Sequence, residues 1–295
     1  MRPLPLRSIT NIHRIHCFSW SSALTQHIRF IASAPSSSTS KPSSSTPTQS
    51  HFHLSNKTSL VTGASRGIGA AIAHALAKEG VRCILVGRNR DLLEGVKASL
   101  DSVDEAEEKS HKVLVGDVGE GAFWEGIRKE VNIDILVNAA GITHYSPLFV
   151  TSPTLLDEVL QTNLMGTMMG CRAVGKGMLS RKGGCIINVA SLLGVKGGKG
   201  SSAYAASKAG VVGLTRALAA ELGEKNIRVN VILPGYIETD MTDAMTPDAR
   251  AAALNSIPLK RFGQASEIAD AAVFLARNKY ANNCVLNLDG GLSAI

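Results

Sequence analysis

The sequence predicts an α/β fold: a single doubly wound domain whose parallel sheet carries helices on both faces. Three observations indicate this fold. Short apolar strands alternate with helical runs along the chain, and a glycine-rich turn separates the first strand from the first helix. Some strands, such as Cys185-Ile186-Ile187, are apolar at every position, which requires burial on both faces of a sheet. We therefore assign residues 55–295 to one domain.

The elements of this domain can be assigned in order along the chain. The first strand spans Lys57 to Thr62, and the first helix, Ala70 to Lys78, follows the glycine-rich turn. The remaining elements that we assign are the strand Cys83 to Val86, the helix Asp91 to Leu100, and the strands Val113 to Val115, Ile133 to Val137 and Cys185 to Val189. Because parallel neighbours need a crossover connection, this alternation predicts a Rossmann-type sheet.

The N-terminal part of the chain differs from this domain in composition. Residues 1–34 interleave basic and apolar residues, with isoleucines on one side of a helical wheel and Arg7 and Arg14 elsewhere on it. This pattern is typical of a mitochondrial presequence, so we expect a location in the mitochondrial matrix. Residues 35–54 are rich in Ser, Thr and Pro, which predicts a disordered linker. The alternative is a disordered tail on a cytoplasmic protein.

Composition excludes several other classes of protein. The net charge is +7, but five basic residues and no acidic residue fall within residues 1–56, so the folded part is nearly balanced and nucleic-acid binding is not expected. No apolar run approaches the roughly 18 residues of a membrane span. The five cysteines form no CxxC pair or Cys/His cluster, so we expect no metal site.

The glycine-rich turn predicts a dinucleotide site. It lies between a strand and a helix, so backbone N–H groups and the positive end of the helix dipole face a bound pyrophosphate. The residues that we expect to hold the cofactor there are Gly63, Ser65, Arg66, Gly67, Ile68 and Gly69.

The end of the second strand indicates which dinucleotide binds. NAD sites usually carry a carboxylate at this point, whereas the sequence reads Val86-Gly87-Arg88-Asn89. Arg88 and Arg66 are instead placed to pair with a 2′-phosphate, so the expected cofactor is NADP(H). The alternative for Arg88 is a solvated loop residue.

The motifs together resemble those of the short-chain dehydrogenase/reductase family over residues 57–291. The resemblance rests on Thr62 to Gly69, Asn138-Ala139-Ala140-Gly141, Asn163, Ser191, Tyr204-Ala205-Ala206-Ser207-Lys208, Pro234-Gly235 and Leu288-Asp289-Gly290-Gly291. Two positions depart from the family pattern. Ala139 stands where many members have a second Asn, and Tyr280-Ala281-Asn282-Asn283-Cys284 replaces a more usual Ile-Thr-Gly turn.

The resemblance implies roles for particular residues. The catalytic set would be Asn163, Ser191, Tyr204 and Lys208, with Asn163 anchoring a water that links Lys208 to solvent. Asp117 and Val118 would meet the adenine. The other implied cofactor contacts are Asn138 and Gly141 beneath the cofactor, Tyr204 and Lys208 beside it, and Ile237 and Thr239 at the carboxamide and phosphates.

The spacing of Tyr204 and Lys208 gives an independent reason for proton transfer. Residues four apart on a helix share one face, and a nearby ammonium stabilises a phenolate and lowers its pKa. Tyr204 is therefore a candidate general acid. Ser191 follows the strand Cys185 to Val189, at the carboxyl edge where doubly wound sheets bind ligands, and its hydroxyl can bind a substrate carbonyl.

Within the family, the chain is most similar to 3-oxoacyl-[acyl-carrier-protein] reductases, including the mitochondrial carbonyl reductase type. This resemblance implies NADPH-dependent reduction of a carrier-linked 3-oxoacyl thioester in mitochondrial fatty acid synthesis. It also implies a homotetramer or heterotetramer. Lys176 and Lys225 would dock the acidic carrier protein, or else are simply solvated lysines at helix ends. The alternatives are a general reductase of free ketones, quinones or steroids, and a non-catalytic subunit of a hetero-oligomer.

Overall fold

The computed structural model describes residues 54–102, 110–127 and 132–295. The presequence expected at residues 1–34 and the linker expected at 35–54 lie outside these described residues, except for Leu54. Their assignment, and with it the domain boundary near residue 55, stays a prediction. Within the described ranges, no helix is long and apolar enough to cross a bilayer, and no group of three or more His, Cys, Asp or Glu side chains could hold a metal ion.

A seven-stranded, wholly parallel sheet organises these residues, in the order β3-β2-β1-β4-β5-β6-β7. The strands are β1 Thr58–Thr62, β2 Arg82–Gly87, β3 Lys112–Val115, β4 Ile135–Asn138, β5 Gly184–Val189, β6 Ile227–Pro234 and β7 Val285–Leu288. The predicted doubly wound fold is therefore confirmed.

The helices connect successive strands. They are α1 Gly67–Lys78, α2 Arg90–Ser99, α3 Gly121–Ile127, α4 Pro153–Leu160, α5 Gly166–Arg181, α6 Leu193–Lys196, α7 Ser202–Leu222, α8 Asp240–Asp243, α9 Pro247–Ser256 and α10 Ala265–Arg277. A single π-helical turn, Gln161–Met165, joins α4 to α5. The first helix begins at Gly67 rather than at Ala70 as predicted, because the last residues of the glycine-rich turn are already helical.

Strand β4 begins two residues later than predicted, at Ile135. The residue before it is Asp134, whose carboxylate accepts the backbone N–H of Thr58 at 3.0 Å and the ammonium of Lys57 at 3.1 Å. This side chain thus pairs with the start of the neighbouring strand.

The apolar strands bury both faces of the sheet, as predicted. One core packs against α1 and α10, and the strand residues that reach it include Val61, Leu85, Val137 and Ile187. The other core packs against α3, α5 and the end of α7, and the strand residues that reach it include Leu60, Ile84, Leu136 and Ile186. Since these eight side chains are almost fully buried, the period of two along each strand determines its register.

The segment Tyr280–Cys284, where the sequence departs from the family pattern, is held by asparagine side chains. Asn230 in β6 donates to the Ala281 carbonyl and accepts from the Cys284 N–H, both at 2.9 Å. Asn282 accepts from the Val229 N–H at 2.9 Å. Side-chain amides therefore hold this turn against β6, immediately before β7.

Arg228 joins the same segment to the end of α10. Its guanidinium donates to three backbone carbonyl groups at 2.6–3.0 Å, those of Leu275, Ala276 and Ala281. The last carbonyl groups of a helix have no partner within the helix, and a cation there also interacts favourably with the helix dipole. Arg228 therefore satisfies backbone acceptors that the fold would otherwise leave unpaired.

Replacing Arg228 by methionine should lower the free energy of unfolding by about 2–4 kcal/mol, because three partly buried carbonyl groups lose a charged donor. Denaturant unfolding monitored by circular dichroism measures this loss. Arg277→Met is the matched control, because the Arg277 side chain is 45% exposed and pairs with Glu79 near the surface, and it should cost less than about 1 kcal/mol. Equal losses in the two variants would contradict the assigned role of Arg228.

Candidate active site

The candidate site lies at the carboxyl edge of the sheet, where the strand order reverses between β1 and β4. Doubly wound folds bind ligands at this switch point. Thr62, the last residue of β1, joins the two strand ends, because its Oγ1 accepts the backbone N–H groups of Ala139 and Ala140 at 3.1 Å each. The glycine-rich turn begins at the next residue.

The backbone geometry of the turn requires its glycines. Gly63 has φ +67°, and a Cβ atom there would lie 2.8 Å from the backbone N and Cα of Ala140. A Cβ atom on Gly69 would overlap the Gly63 carbonyl oxygen. Gly67 has φ +57° and faces the Thr239 methyl group, 3.4 Å from where its Cβ would be. The turn is thus a tight cradle of backbone that leads into α1, which fits a pyrophosphate group.

The two arginines that we predict to select NADP(H) both lie at this edge with exposed guanidinium groups. Arg66, the residue before α1, pairs with Asp240 at 3.0 Å. Arg88, just after β2, lies 3.7 Å from the Asp117 carboxylate. Each arginine is about two-thirds exposed, so each can reach an incoming phosphate.

Two of the predicted cofactor contacts have buried side chains. Val118 is 6% exposed and packs against Gly166, and Ile237 is 5% exposed within the core under α1 and α10. Only a small part of each of these side chains is therefore available to a cofactor. Asp117, in contrast, is partly exposed, and its Oδ1 accepts the N–H of Gly119 at 2.8 Å.

Asn138, which we expect beneath the cofactor, ends β4 with its side chain turned into the protein interior. The side chain lies beneath β4, where its Nδ2 donates to Asn188 at 2.9 Å, and Asn188 donates in turn to Thr215 at 2.9 Å. All three residues are at least 97% buried. Because β4 is buried on both faces, the amide nitrogen at its end finds its partner inside the protein, while Asn138 Oδ1 is buried without a hydrogen-bond partner. Asn138 links β4 to β5 and α7.

Tyr204 and Lys208 share one face of α7, as predicted. The Lys208 ammonium lies 5.8 Å from the centre of the Tyr204 ring and donates to the Val189 carbonyl, at the end of β5, at 2.9 Å. Ser191 follows two residues after β5, and its Oγ accepts the N–H of Leu193 at 3.2 Å. The structure therefore brings the predicted serine, tyrosine and lysine together at one strand end.

Asn163 lies in the π-helical turn between α4 and α5 and is fully buried. Its amide pairs with both backbone groups of Ile142, accepting at 2.8 Å and donating at 2.9 Å, and it also donates to Ser207 at 3.1 Å. Such π turns are frequent at functional sites. Asn163 thus holds the loop after β4 against α7.

Gly141 lies between Asn163 and Lys208. A Cβ atom at this position would be 3.2 Å from Asn163 Oδ1 and 3.3 Å from Lys208 Nζ. The absence of a side chain is what allows the amide and the ammonium to approach the same stretch of backbone.

Burial controls the titration of both groups in the pair. It lowers the pKa of Lys208 from 10.5 to about 8, because the charged ammonium loses solvation. Burial raises the pKa of Tyr204, and the hydrogen bond with Ser191 acts in the opposite direction. The direction for Tyr204 is opposite to our expectation of a lowered pKa, because desolvation of the phenolate outweighs the favourable effects. The raised pKa favours the protonated form of Tyr204, the form that the predicted role of general acid requires.

Sequence reasoning missed the contributions of Ser207, Ile142 and Asp240. Ser207 lies one residue before Lys208 and receives the Asn163 amide, while its own hydroxyl donates to the Tyr204 carbonyl at 2.7 Å. The only signal was its position inside the Tyr204 to Lys208 motif. Asp240 gave no signal, because its partner Arg66 is distant in sequence.

Lys176 and Lys225, the two lysines that we expect to dock the carrier protein, lie away from Tyr204 on their own chain. Lys176 is 13 residues beyond Asn163, or about 20 Å along the helix, and lines a depression with Ile133, just before β4. Lys225 follows the C-terminal end of α7, about 25 Å or more from Tyr204. Because α5 and α7 run antiparallel to the strands, both lysines lie at the amino edge of the sheet.

The fold and the site define a class of protein: an oxidoreductase that binds a dinucleotide at the switch point of a parallel sheet. Comparison with known proteins supports this class. A family model described as Enoyl-(Acyl carrier protein) reductase matches residues 63–293. The chain belongs to the short-chain dehydrogenase/reductase family, as its motifs predicted, and is an oxidoreductase acting on the CH–OH group.

Similar proteins include 3-oxoacyl-[acyl-carrier-protein] reductase of Bos taurus, 42% identical over 80% of this chain and 98% of the relative. Carbonyl reductase family member 4 of Danio rerio is 39% identical over 81% of this chain and 99% of the relative. Among solved structures, a candidate NAD(P)-dependent gluconate 5-dehydrogenase from Beutenbergia cavernae, with NADP bound at low occupancy, superposes with a TM-score of 0.77. The two sequences are 36% identical, and the match covers 83% of this chain and 99% of the dehydrogenase chain.

Removing the Tyr204 hydroxyl should lower kcat for carbonyl reduction by at least about 10²-fold, because a positioned proton donor contributes this much. Steady-state NADPH oxidation by the Tyr204→Phe variant measures the loss, and its cofactor affinity should stay close to that of the wild type. Tyr280→Phe is the matched control, because this side chain is 98% exposed. Wild-type turnover in the Tyr204→Phe variant would contradict the assignment of the general acid.

Proposed function

We propose that this protein reduces a 3-oxoacyl thioester, carried on acyl carrier protein, to the 3-hydroxyacyl form with NADPH in mitochondrial fatty acid synthesis. The observation that carries the proposal is the similarity to the bovine 3-oxoacyl-[acyl-carrier-protein] reductase, which extends over 98% of that relative. The intact constellation of Ser191, Tyr204 and Lys208 at one strand end supports a catalytic role.

The cofactor is NADP(H), which supplies the hydride when bound. Arg66 and Arg88 are the residues that would hold the 2′-phosphate, and no carboxylate stands directly after β2 to favour NAD. Solved relatives with bound NADP support this assignment. The glycine-rich turn would hold the pyrophosphate, with the Thr239 side chain packed against it.

The residues of the chain would divide the remaining work. Ser191 binds the substrate carbonyl through its hydroxyl, and Tyr204 donates a proton to that oxygen as the carbon is reduced. The Lys208 ammonium stabilises the phenolate that forms, and its position is set by Val189 and by the absence of a side chain at Gly141. Asn163 keeps the loop after β4 in place and, in this proposal, anchors the water that resupplies protons.

A mitochondrial location and an oligomeric state belong to the same proposal. Residues 1–34 carry the features of a presequence, residues 35–54 those of a linker, and residues 55–295 form the enzyme domain. Exposed apolar residues on and before α5, Met165, Met168 and Leu179, support assembly into a homotetramer or heterotetramer through this helix.

Reduction of free ketones, quinones or steroids is the second candidate function. Two observations favour it: the similarity to carbonyl reductase family member 4 of Danio rerio, and the position of Lys176 and Lys225 away from the site on the same chain. In an oligomer these lysines would have to serve the site of another subunit to dock the carrier. The complete catalytic set weighs against a non-catalytic subunit.

The full chain should oxidise NADPH with a kcat/KM at least about tenfold higher on a 3-oxoacyl thioester linked to acyl carrier protein than on the same acyl group as a free thioester, because the carrier adds contacts. The assay compares both substrates with a panel of ketones and quinones, and Tyr204→Phe corrects for background. Preference for the free carbonyl compounds would favour the second candidate. No turnover with any substrate would contradict both.

A further inference from the structure

An ion pair joins the glycine-rich turn to the segment that follows β6. Arg66, immediately before α1, pairs through its Nη1 with Oδ2 of Asp240, the first residue of α8, at 3.0 Å. Both side chains are about two-thirds exposed, at 67% and 64%. The carboxylate thus lies against the guanidinium that we assign to the 2′-phosphate of the cofactor.

The backbone around Asp240 holds its carboxylate in this position. Thr239 and Thr242 form a reciprocal capping box at the start of α8, in which the Thr239 N–H donates to Thr242 Oγ1 at 3.0 Å. The Thr239 methyl group packs against Gly67 in the glycine-rich turn. Glu238, on the other side of Thr239, forms a two-oxygen contact with Arg250 at 2.6 and 2.7 Å. The contacts of the residues before and after Asp240 in the chain therefore hold its backbone in place beside Arg66.

We propose that Asp240 is a specificity-determining residue, which competes with the 2′-phosphate for Arg66 and so limits how strongly the enzyme prefers NADPH to NADH. A phosphate that approaches Arg66 must displace the carboxylate or share the guanidinium with it, and two anions at one cation repel each other. NADH lacks the 2′-phosphate, so its binding does not require this exchange. The inference rests on the proposed NADP(H) cofactor.

Arg88, the second arginine that we assign to the 2′-phosphate, lies farther from its carboxylate partner than Arg66 does. Arg88 lies 3.7 Å from Asp117, a longer contact, and the other oxygen of Asp117 is occupied by the Gly119 N–H. A phosphate therefore meets less competition at Arg88 than at Arg66. This difference directs the test to Asp240.

Asp240→Asn should tighten NADPH binding by about 2- to 5-fold, the range that an exposed ion pair supports, and leave NADH binding unchanged. The measurement is the dissociation constant of each reduced cofactor, from nucleotide fluorescence or calorimetry on the full chain. Asp243→Asn is the matched control, because it removes one charge from the same helix but from a residue not paired with Arg66. The gain should shrink at high salt.

A double-mutant cycle with Arg66→Gln completes the test. In the Arg66→Gln background, Asp240→Asn should no longer improve NADPH binding, because the contested cation is gone. Equal gains from Asp240→Asn and Asp243→Asn, or a gain that persists without Arg66, would overturn the inference and leave only a general charge effect. Wild-type protein that binds NADH more tightly than NADPH would instead contradict the cofactor assignment, and the inference with it.

Discussion

The candidate site is arranged around a buried cation, the ammonium of Lys208. Lys208 is 4% exposed, and its ammonium donates to the Val189 carbonyl at the end of β5. Removing a charge from water is costly unless hydrogen bonds and nearby polar groups compensate, and the cost is visible in the pKa of Lys208, which falls to about 8. Several neighbouring backbone and side-chain groups hold the Lys208 ammonium at this position.

The residues that hold this ammonium in place lie at the strand ends and in the neighbouring helical segments. The π-helical turn places Asn163 where its amide binds both backbone groups of Ile142, so the loop after β4 closes over α7. Gly141 then leaves room for the ammonium, and Ser207 ties Asn163 to α7. Hydrogen bonds among Asn138, Asn188 and Thr215 join β4 and β5 to the same helix. The proton donation that we propose for Tyr204 therefore depends on residues around Lys208 as well as on the tyrosine itself.

The sequence predicted the elements whose signals are local and repetitive. Apolar strands, the glycine-rich turn and the four-residue spacing of Tyr204 and Lys208 each follow from the periodicity of one element. It could not predict features that depend on which elements become neighbours. The side chain of Asn138 points into the interior because β4 is covered on both faces, and the pKa of Tyr204 rises because burial outweighs the effect of nearby groups. The distance of Lys176 from the site and the pairing of Arg66 with Asp240 are likewise products of the tertiary fold.

The measurement that most directly tests this account is the pKa of Lys208 itself. The ¹³C shift of the lysine ε-carbons can be followed by NMR in labelled protein as pH rises, with the Lys208 signal assigned by its loss in Lys208→Arg. The account predicts a pKa of about 8, well separated from the other lysines, because this ammonium is buried. A value at the ordinary 10.5 would show a solvated ammonium and contradict the central claim.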